Sequence, residues 1–161
     1  MEIQIEVPSS ARRISSTAGE LNPSAAVNVP ARTDQLSHLK VLVIEDSIDN
    51  QVLIRLMLNR HGVGVDIAGD GSEGVQAASA NSYDLIFCDI QMPIMDGYEA
   101  VREIRKRDNM IPIIALSAHA MKEEYQRALA GGFTDYLTKP IDRSALFQTL
   151  KKYETASSNK A

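Results

Sequence analysis

From residue 39 onward, short apolar runs alternate with segments of helical period, five of each. The runs are LKVLVIE, VDIA, YDLIFCD, IPIIALS and DYLT, and most of them are nearly continuous in apolar character. That is the mark of strands covered on both faces, as in a parallel sheet. Parallel neighbours need long crossovers, which helices supply. Right-handed crossovers then place the helices on both faces, so the expected class is α/β with a five-stranded parallel sheet. In the first helical segment, IDNQVLIRLMLNRH, Val52, Leu53, Leu56 and Met57 fall at helical spacing, Ser47 stands where it can cap the start, and Gly62 and Gly64 follow the end. A weak helix is expected from about Ser72 to Ala80, and another from Gly97 to Arg107 with Val101 and Ile104 inward. A fourth, Ala120 to Ala130, places Met121, Tyr125 and Ala128 on one face and stops at Gly131-Gly132, which suit a left-handed C-cap. Asp142 caps a last helix carrying Leu146, Leu150 and Tyr153.

The first 37 residues differ in kind. Rich in Ser, Ala, Pro and Asn and without period, residues 1–37 read as a disordered or linker segment, 38–154 as the folded domain and 155–161 as a disordered tail. At 161 residues the chain has room for one ordinary domain and little more. EIQIEV near the start alternates like an edge strand, as the last strand of a preceding domain would, and RRIS resembles a basophilic kinase site. A net charge of -4 and a pI near 5.4 argue against a nucleic-acid binder, whose affinity rests on clustered Lys and Arg. The single cysteine, Cys88, cannot form an internal disulfide, so no oxidising compartment is required. No apolar run approaches the roughly 20 residues of a membrane-spanning helix, and no signal-peptide core is present; Arg12-Arg13 reads as linker. A cytoplasmic location without membrane insertion is the expectation.

In parallel sheets of this kind, ligands bind outside the carboxyl ends of the strands. Here strand one ends at Glu45-Asp46, strand three at Asp89, strand four at Ser117, and strand five runs into Lys139-Pro140. Three carboxylates converging on one edge repel one another and demand a cation. Oxygen ligands with room for water suit Mg2+. A lysine and a hydroxyl opposite that cation are then free for the remaining oxygens of a phosphoryl group. The edge is suited to a phosphoryl group carried on a carboxylate.

The stretches VIEDS, DIQMPIMDG, ALSAHAM and YLTKP, in this order and spacing, resemble the receiver domain of two-component response regulators, particularly receivers of hybrid histidine kinases. The likeness runs from residue 39 to about 153. It implies the flavodoxin-like receiver fold with strand order 2-1-3-4-5. It also implies that Asp89 is the phosphoacceptor, taking the group from a phosphohistidine with Mg2+ as cofactor. By the same likeness Asp46 and Asp89 ligate the metal directly, Gln91 through its backbone carbonyl and Glu45 through water. Lys139 and Ser117 contact phosphoryl oxygens, Tyr136 is the switch aromatic whose rotamer follows the hydroxyl, and Gln91 and His119 tune phosphate lifetime. The Lys139-Pro140 bond is commonly cis in the family. The implied partners are a histidine kinase, a histidine phosphotransfer protein or both, met as a monomer or weak dimer. No output enzyme is expected; phosphate would shift a two-state equilibrium and remodel the face formed by the fourth helix, fifth strand and fifth helix.

Other readings compete for these residues. GDGSEG, residues 69–74, matches the glycine fingerprint of dinucleotide sites, yet it follows the second strand and leaves Glu45, Asp46, Ser117 and Lys139 without a role. A haloacid-dehalogenase-type aspartyl-phosphate phosphatase uses the same residue types but needs a second acid two positions after its nucleophile, where this chain has Gln91. A third alternative makes the chain a receiver fragment of a hybrid histidine kinase. Taken singly, Cys88 reads as a small buried hydrophobe. His61 reads as a favourable charge at a helix C-terminus, and His119 lacks a second histidine to make a metal site.

Overall fold

The computed structural model describes residues 34–158 apart from Asn109. The EIQIEV strand, the RRIS site and the end of the tail lie outside the described residues.

Strands β1 Lys40–Ile44, β2 Gly64–Ala68, β3 Leu85–Asp89, β4 Ile113–Ser117 and β5 Asp135–Thr138 form one parallel sheet in the order β2-β1-β3-β4-β5. This is the 2-1-3-4-5 order expected of the receiver fold. The interior strands β3 and β4 are buried throughout, as their continuous apolar runs require, while the edge strands β2 and β5 are mostly half-buried. Successive side chains of one strand enter opposite layers. Val41 and Val43 join one core with Phe87, Ile54, Leu58, Leu146 and Leu150. Leu42 and Ile44 join the other with Ile86, Val101, Ile104, Ala128 and Phe133.

The helices are α1 Ile48–Asn59, α2 Gly71–Ala80, α3 Gly97–Arg105, α4 Lys122–Ala130 and α5 Arg143–Ser158. Those core memberships place α1 and α5 on one face and α3 and α4 on the other. Ser47, Asp70, Asp96 and Asp142 accept amide hydrogen bonds at the starts of α1, α2, α3 and α5. At α3 Asp96 and Glu99 form a complete capping box. The last helix runs four residues beyond the expected boundary at 154.

Two helix faces differ from expectation. On α1 the buried side chains are Ile54, Met57 and Leu58; Met57 is inward as expected, but Val52, Leu53 and Leu56 face solvent. This helix is apolar almost all round between residues 52 and 58, so its period admits more than one inward face. On α4 only Ala128 is buried, while Met121 precedes the helix and is exposed together with Tyr125. Gly131 closes α4 in the right-handed region, and it is Gly132, φ +111°, that takes the left-handed conformation.

Candidate functional site

Asp89 ends β3 with its carboxylate buried, and the chain folds back immediately beyond it. Gly97 N–H donates to the Ile90 carbonyl at 2.9 Å. A Cβ at position 97 would lie 2.3 Å from the Asp89 carbonyl oxygen, so only glycine lets α3 begin this close to the strand end. The Asp89 carboxylate is held on both sides: Oδ1 accepts the Gln91 N–H at 3.0 Å and Oδ2 accepts Lys139 Nζ at 2.9 Å.

Lys139 reaches across from the end of β5, where its own N–H donates to the Ser117 carbonyl at 2.7 Å. Its peptide bond to Pro140 is cis, as the family resemblance implied. The ammonium also lies 2.8 Å from Glu45 Oε2, a carboxylate with no exposure at all. Glu45 is further anchored through Oε1 by the Ser47 N–H at 3.1 Å and by Asn50 Nδ2 at 3.4 Å. Burial works against a charged Lys139, but the Glu45 and Asp89 carboxylates outweigh it and raise its pKa above the ordinary lysine value.

Asp46, exposed, completes the cluster: Glu45, Asp46 and Asp89 each bring a carboxylate oxygen within 4.8 Å of the others. Three carboxylates against one ammonium leave two negative charges in excess. A divalent cation balances that excess, and an all-oxygen donor set open to solvent through Asp46 fits Mg2+.

Ser117 is buried at the end of β4, and its Oγ accepts the His119 N–H at 3.2 Å. The His119 carbonyl in turn accepts the Tyr136 hydroxyl. The sequence points to the His119 side chain; the structure exposes that ring and uses the His119 backbone as the link between Ser117 and Tyr136. The Tyr136 ring stands edge-on to Tyr125, 6.1 Å away.

The other candidates resolve structurally. Burial pushes the Cys88 thiol well above its ordinary pKa, and the Asp89 and Glu45 charges push it further, so it remains a protonated core side chain. His61 lies just past the C-cap of α1 at Arg60, its ring packs on Phe147 at 4.6 Å, and burial followed by the Arg60 charge lowers its pKa. In GDGSEG, Glu73 Oε2 already accepts the Gly69 N–H at 2.7 Å, occupying an amide that a pyrophosphate would need. Gly74 packs on Ile44, where a Cβ would lie 2.4 Å from the side chain. These glycines serve helix packing and capping.

The chain matches the family model described as the response regulator receiver domain over residues 41–151. It is 39% identical over 138 residues to hybrid signal transduction histidine kinase I of Dictyostelium discoideum, a match covering 80% of this chain and 8% of that one. The first three curated relatives are far longer, this chain spanning 8% to 13% of their length. Among solved structures it resembles the receiver domain of a sensor histidine kinase from Pseudomonas aeruginosa, which has a magnesium ion coordinated in its active site cleft. That likeness has a TM-score of 0.67 and 38% identity over 71% of this chain and 96% of the other. It also resembles the receiver domain of the Saccharomyces cerevisiae regulator Ssk1 in complex with the histidine phosphotransfer protein Ypd1. There the TM-score is 0.67 and the identity 30%, over 71% of this chain and 88% of the other.

Proposed function

The chain belongs to the response regulator receiver family, and on that premise we propose that Asp89 accepts a phosphoryl group from a phosphohistidine and that the chain then signals by protein contact. The observation that carries this is the position of Lys139, whose ammonium stands 2.9 Å from Asp89 and 2.8 Å from Glu45 at the mouth of the acid cluster. In the transfer an Asp89 oxygen forms the P–O bond, the P–N bond to the donor imidazole breaks, and its electron pair leaves with the ring. Mg2+ would be held by Asp46, Asp89 and the Gln91 carbonyl, with Glu45 acting through water, and would supply charge neutralisation for the phosphoryl oxygens. Lys139 moves from carboxylate to phosphoryl oxygen, and the Ser117 hydroxyl closes on another. Tyr136 follows Ser117 and carries the change to the face of α4, β5 and α5, with Gln91 and His119 setting water access and so phosphate lifetime.

The donor is a histidine kinase or a histidine phosphotransfer protein, as the relatives suggest, and the same phosphoryl group can pass onward by the reverse reaction. Its docking face is proposed from exposure: Ile48, Val52 and Leu56 on α1 are 72%, 52% and 60% exposed, and Ile94 beside the acceptor loop is 92% exposed. These apolar side chains begin two residues after Asp46 and flank the site. The receiver in this reading runs from residue 38 to the end of α5 at Ser158, with 1–37 a linker, working in the cytoplasm as a monomer or weak dimer. Among the described residues no helix is long and apolar enough to cross a membrane.

Intact mass after incubation with acetyl phosphate and Mg2+ tests the proposal. A single phosphoryl adduct is expected, absent from Asp89→Asn and absent when EDTA removes the cation. An adduct that survives in Asp89→Asn would overturn the assignment of the acceptor.

A further inference from the structure

Outside the acid cluster, the Tyr98 hydroxyl is the buried side-chain oxygen that has no hydrogen-bond partner among the described residues. Buried polar groups are nearly always paired, and an unpaired one is destabilising. Packing does not account for it. The Tyr98 ring lies against Gly131, where a Cβ would be 2.6 Å from it, and stands edge-on to Phe133 at 5.6 Å. The Arg127 guanidinium sits 5.4 Å from the ring centroid. A phenylalanine would make every one of these contacts.

The position of this hydroxyl joins the two halves of the switch. Tyr98 directly follows Gly97, which is pressed against the Asp89 carbonyl. On its other side lies α4, whose Glu124 charge raises the Tyr98 pKa, second to burial, while the Arg127 charge of the same helix lowers it and Tyr136 adds a smaller raising effect. Glu124 makes no ion pair and no side-chain hydrogen bond among the described residues. Helix α4 is thinly anchored: it lacks a side-chain N-cap and buries Ala128 alone. An element held this lightly can shift at low cost.

We propose that Tyr98 is a second reader of the acceptor site, its hydroxyl unpaired while Tyr136 is bonded to the His119 carbonyl and donating to the Glu124 carboxylate once α4 shifts with the phosphorylated state. This rests on the receiver reading above. Tyr98 is then a positioning residue: pairing that hydroxyl favours the phosphorylated conformation, so the ligand that selects this conformation binds wild type more tightly than it binds the Tyr98→Phe variant.

Beryllofluoride with Mg2+ is the probe, read by calorimetric affinity and by thermal unfolding with and without it. Tyr98→Phe is expected to raise the unfolding temperature of the free protein by a few degrees and to weaken beryllofluoride binding at least fivefold. Glu124→Ala, which removes the acceptor and keeps the ring packing, is expected to weaken binding comparably, and the double variant no more than either. Affinity within twofold of wild type in both single variants overturns the inference, as does a lower unfolding temperature for free Tyr98→Phe, which would mean the hydroxyl is already paired. If Tyr98→Phe does not fold, Glu124→Ala alone decides. Wild type failing to bind beryllofluoride overturns the receiver reading and this inference with it, whereas unchanged variants beside a binding wild type overturn this inference alone.

Discussion

At the scale of single residues, the site is organised by one ammonium shared between two buried carboxylates. Lys139 neutralises Asp89 and Glu45 in part, and Asp46 adds a third charge within 4.8 Å that no nearby cation balances among the described residues. That repulsion is a standing cost of keeping a cation site ready. Because Asp46 is exposed and screened, removing its charge is worth about 1 kcal/mol, well below what Coulomb's law gives for a dry interior. Asp46→Asn is therefore expected to raise the unfolding temperature in Mg2+-free buffer by a few degrees and to abolish the further rise that Mg2+ gives wild type. Thermal unfolding with and without Mg2+, at low salt, checks both arms. That Asp89, Glu45, Asp46, Lys139 and Ser117 gather at one edge was legible from strand ends alone, since parallel strands bring all their carboxyl ends together, whereas the role of each was only implied by the family resemblance. The unpaired hydroxyl of Tyr98 was not legible, because a tyrosine in an amphipathic helix looks the same whether or not its hydroxyl finds a partner.

At the scale of elements, α1 and α3 show opposite degrees of legibility. Helix α3 has one apolar stripe, so its period sends Val101 and Ile104 inward, where both are buried. Its last turn is tied down by Arg105, which donates to the carbonyls of Gly132 at 2.9 Å and Ile111 at 2.6 Å and to Thr134 Oγ1 at 3.1 Å. Helix α1 has apolar residues on more sides than it can bury, and the surplus, Ile48, Val52 and Leu56, lines up four residues apart on the exposed side. If that stripe receives the phosphohistidine donor, Val52→Asp or Leu56→Asp should slow transfer from a histidine phosphotransfer protein about tenfold, the effect of losing one good interface contact. Labelling of Asp89 by acetyl phosphate, which needs no docking, should be unchanged in the same variants. Equal slowing with both donors would place the defect in the site itself.

For the whole molecule, the β5–α5 junction contributes to stability against acid. Asp135 accepts Lys152 Nζ at 2.8 Å and the Tyr153 hydroxyl at 2.9 Å through Oδ2, and the Tyr136 N–H at 2.9 Å through Oδ1. Burial alone would raise its pKa, but the Lys152, Tyr153 and Tyr136 hydrogen bonds together hold it below the usual aspartate value. A carboxylate depressed in the folded state contributes stability that is present above its unfolded pKa, about 3.9, and lost as pH falls through the folded value. Asp135→Asn should thus cost about 1 kcal/mol at pH 7, the scale of an exposed pair, and the gap to wild type should close as pH drops below about 4 in denaturant titrations. The sequence by itself determined the alternation of strand and helix, the parallel sheet and the chemistry gathered at its carboxyl edge, because burial and period are local properties written residue by residue. Only the tertiary structure decided which side of α1 turns inward, that the backbone of His119 rather than its ring joins Ser117 to Tyr136, and that Lys139 stands between Asp89, 50 positions earlier, and Glu45. A local pattern records that a side chain needs burial or a partner. Which neighbour meets the need depends on crossovers and packing between segments far apart in the chain.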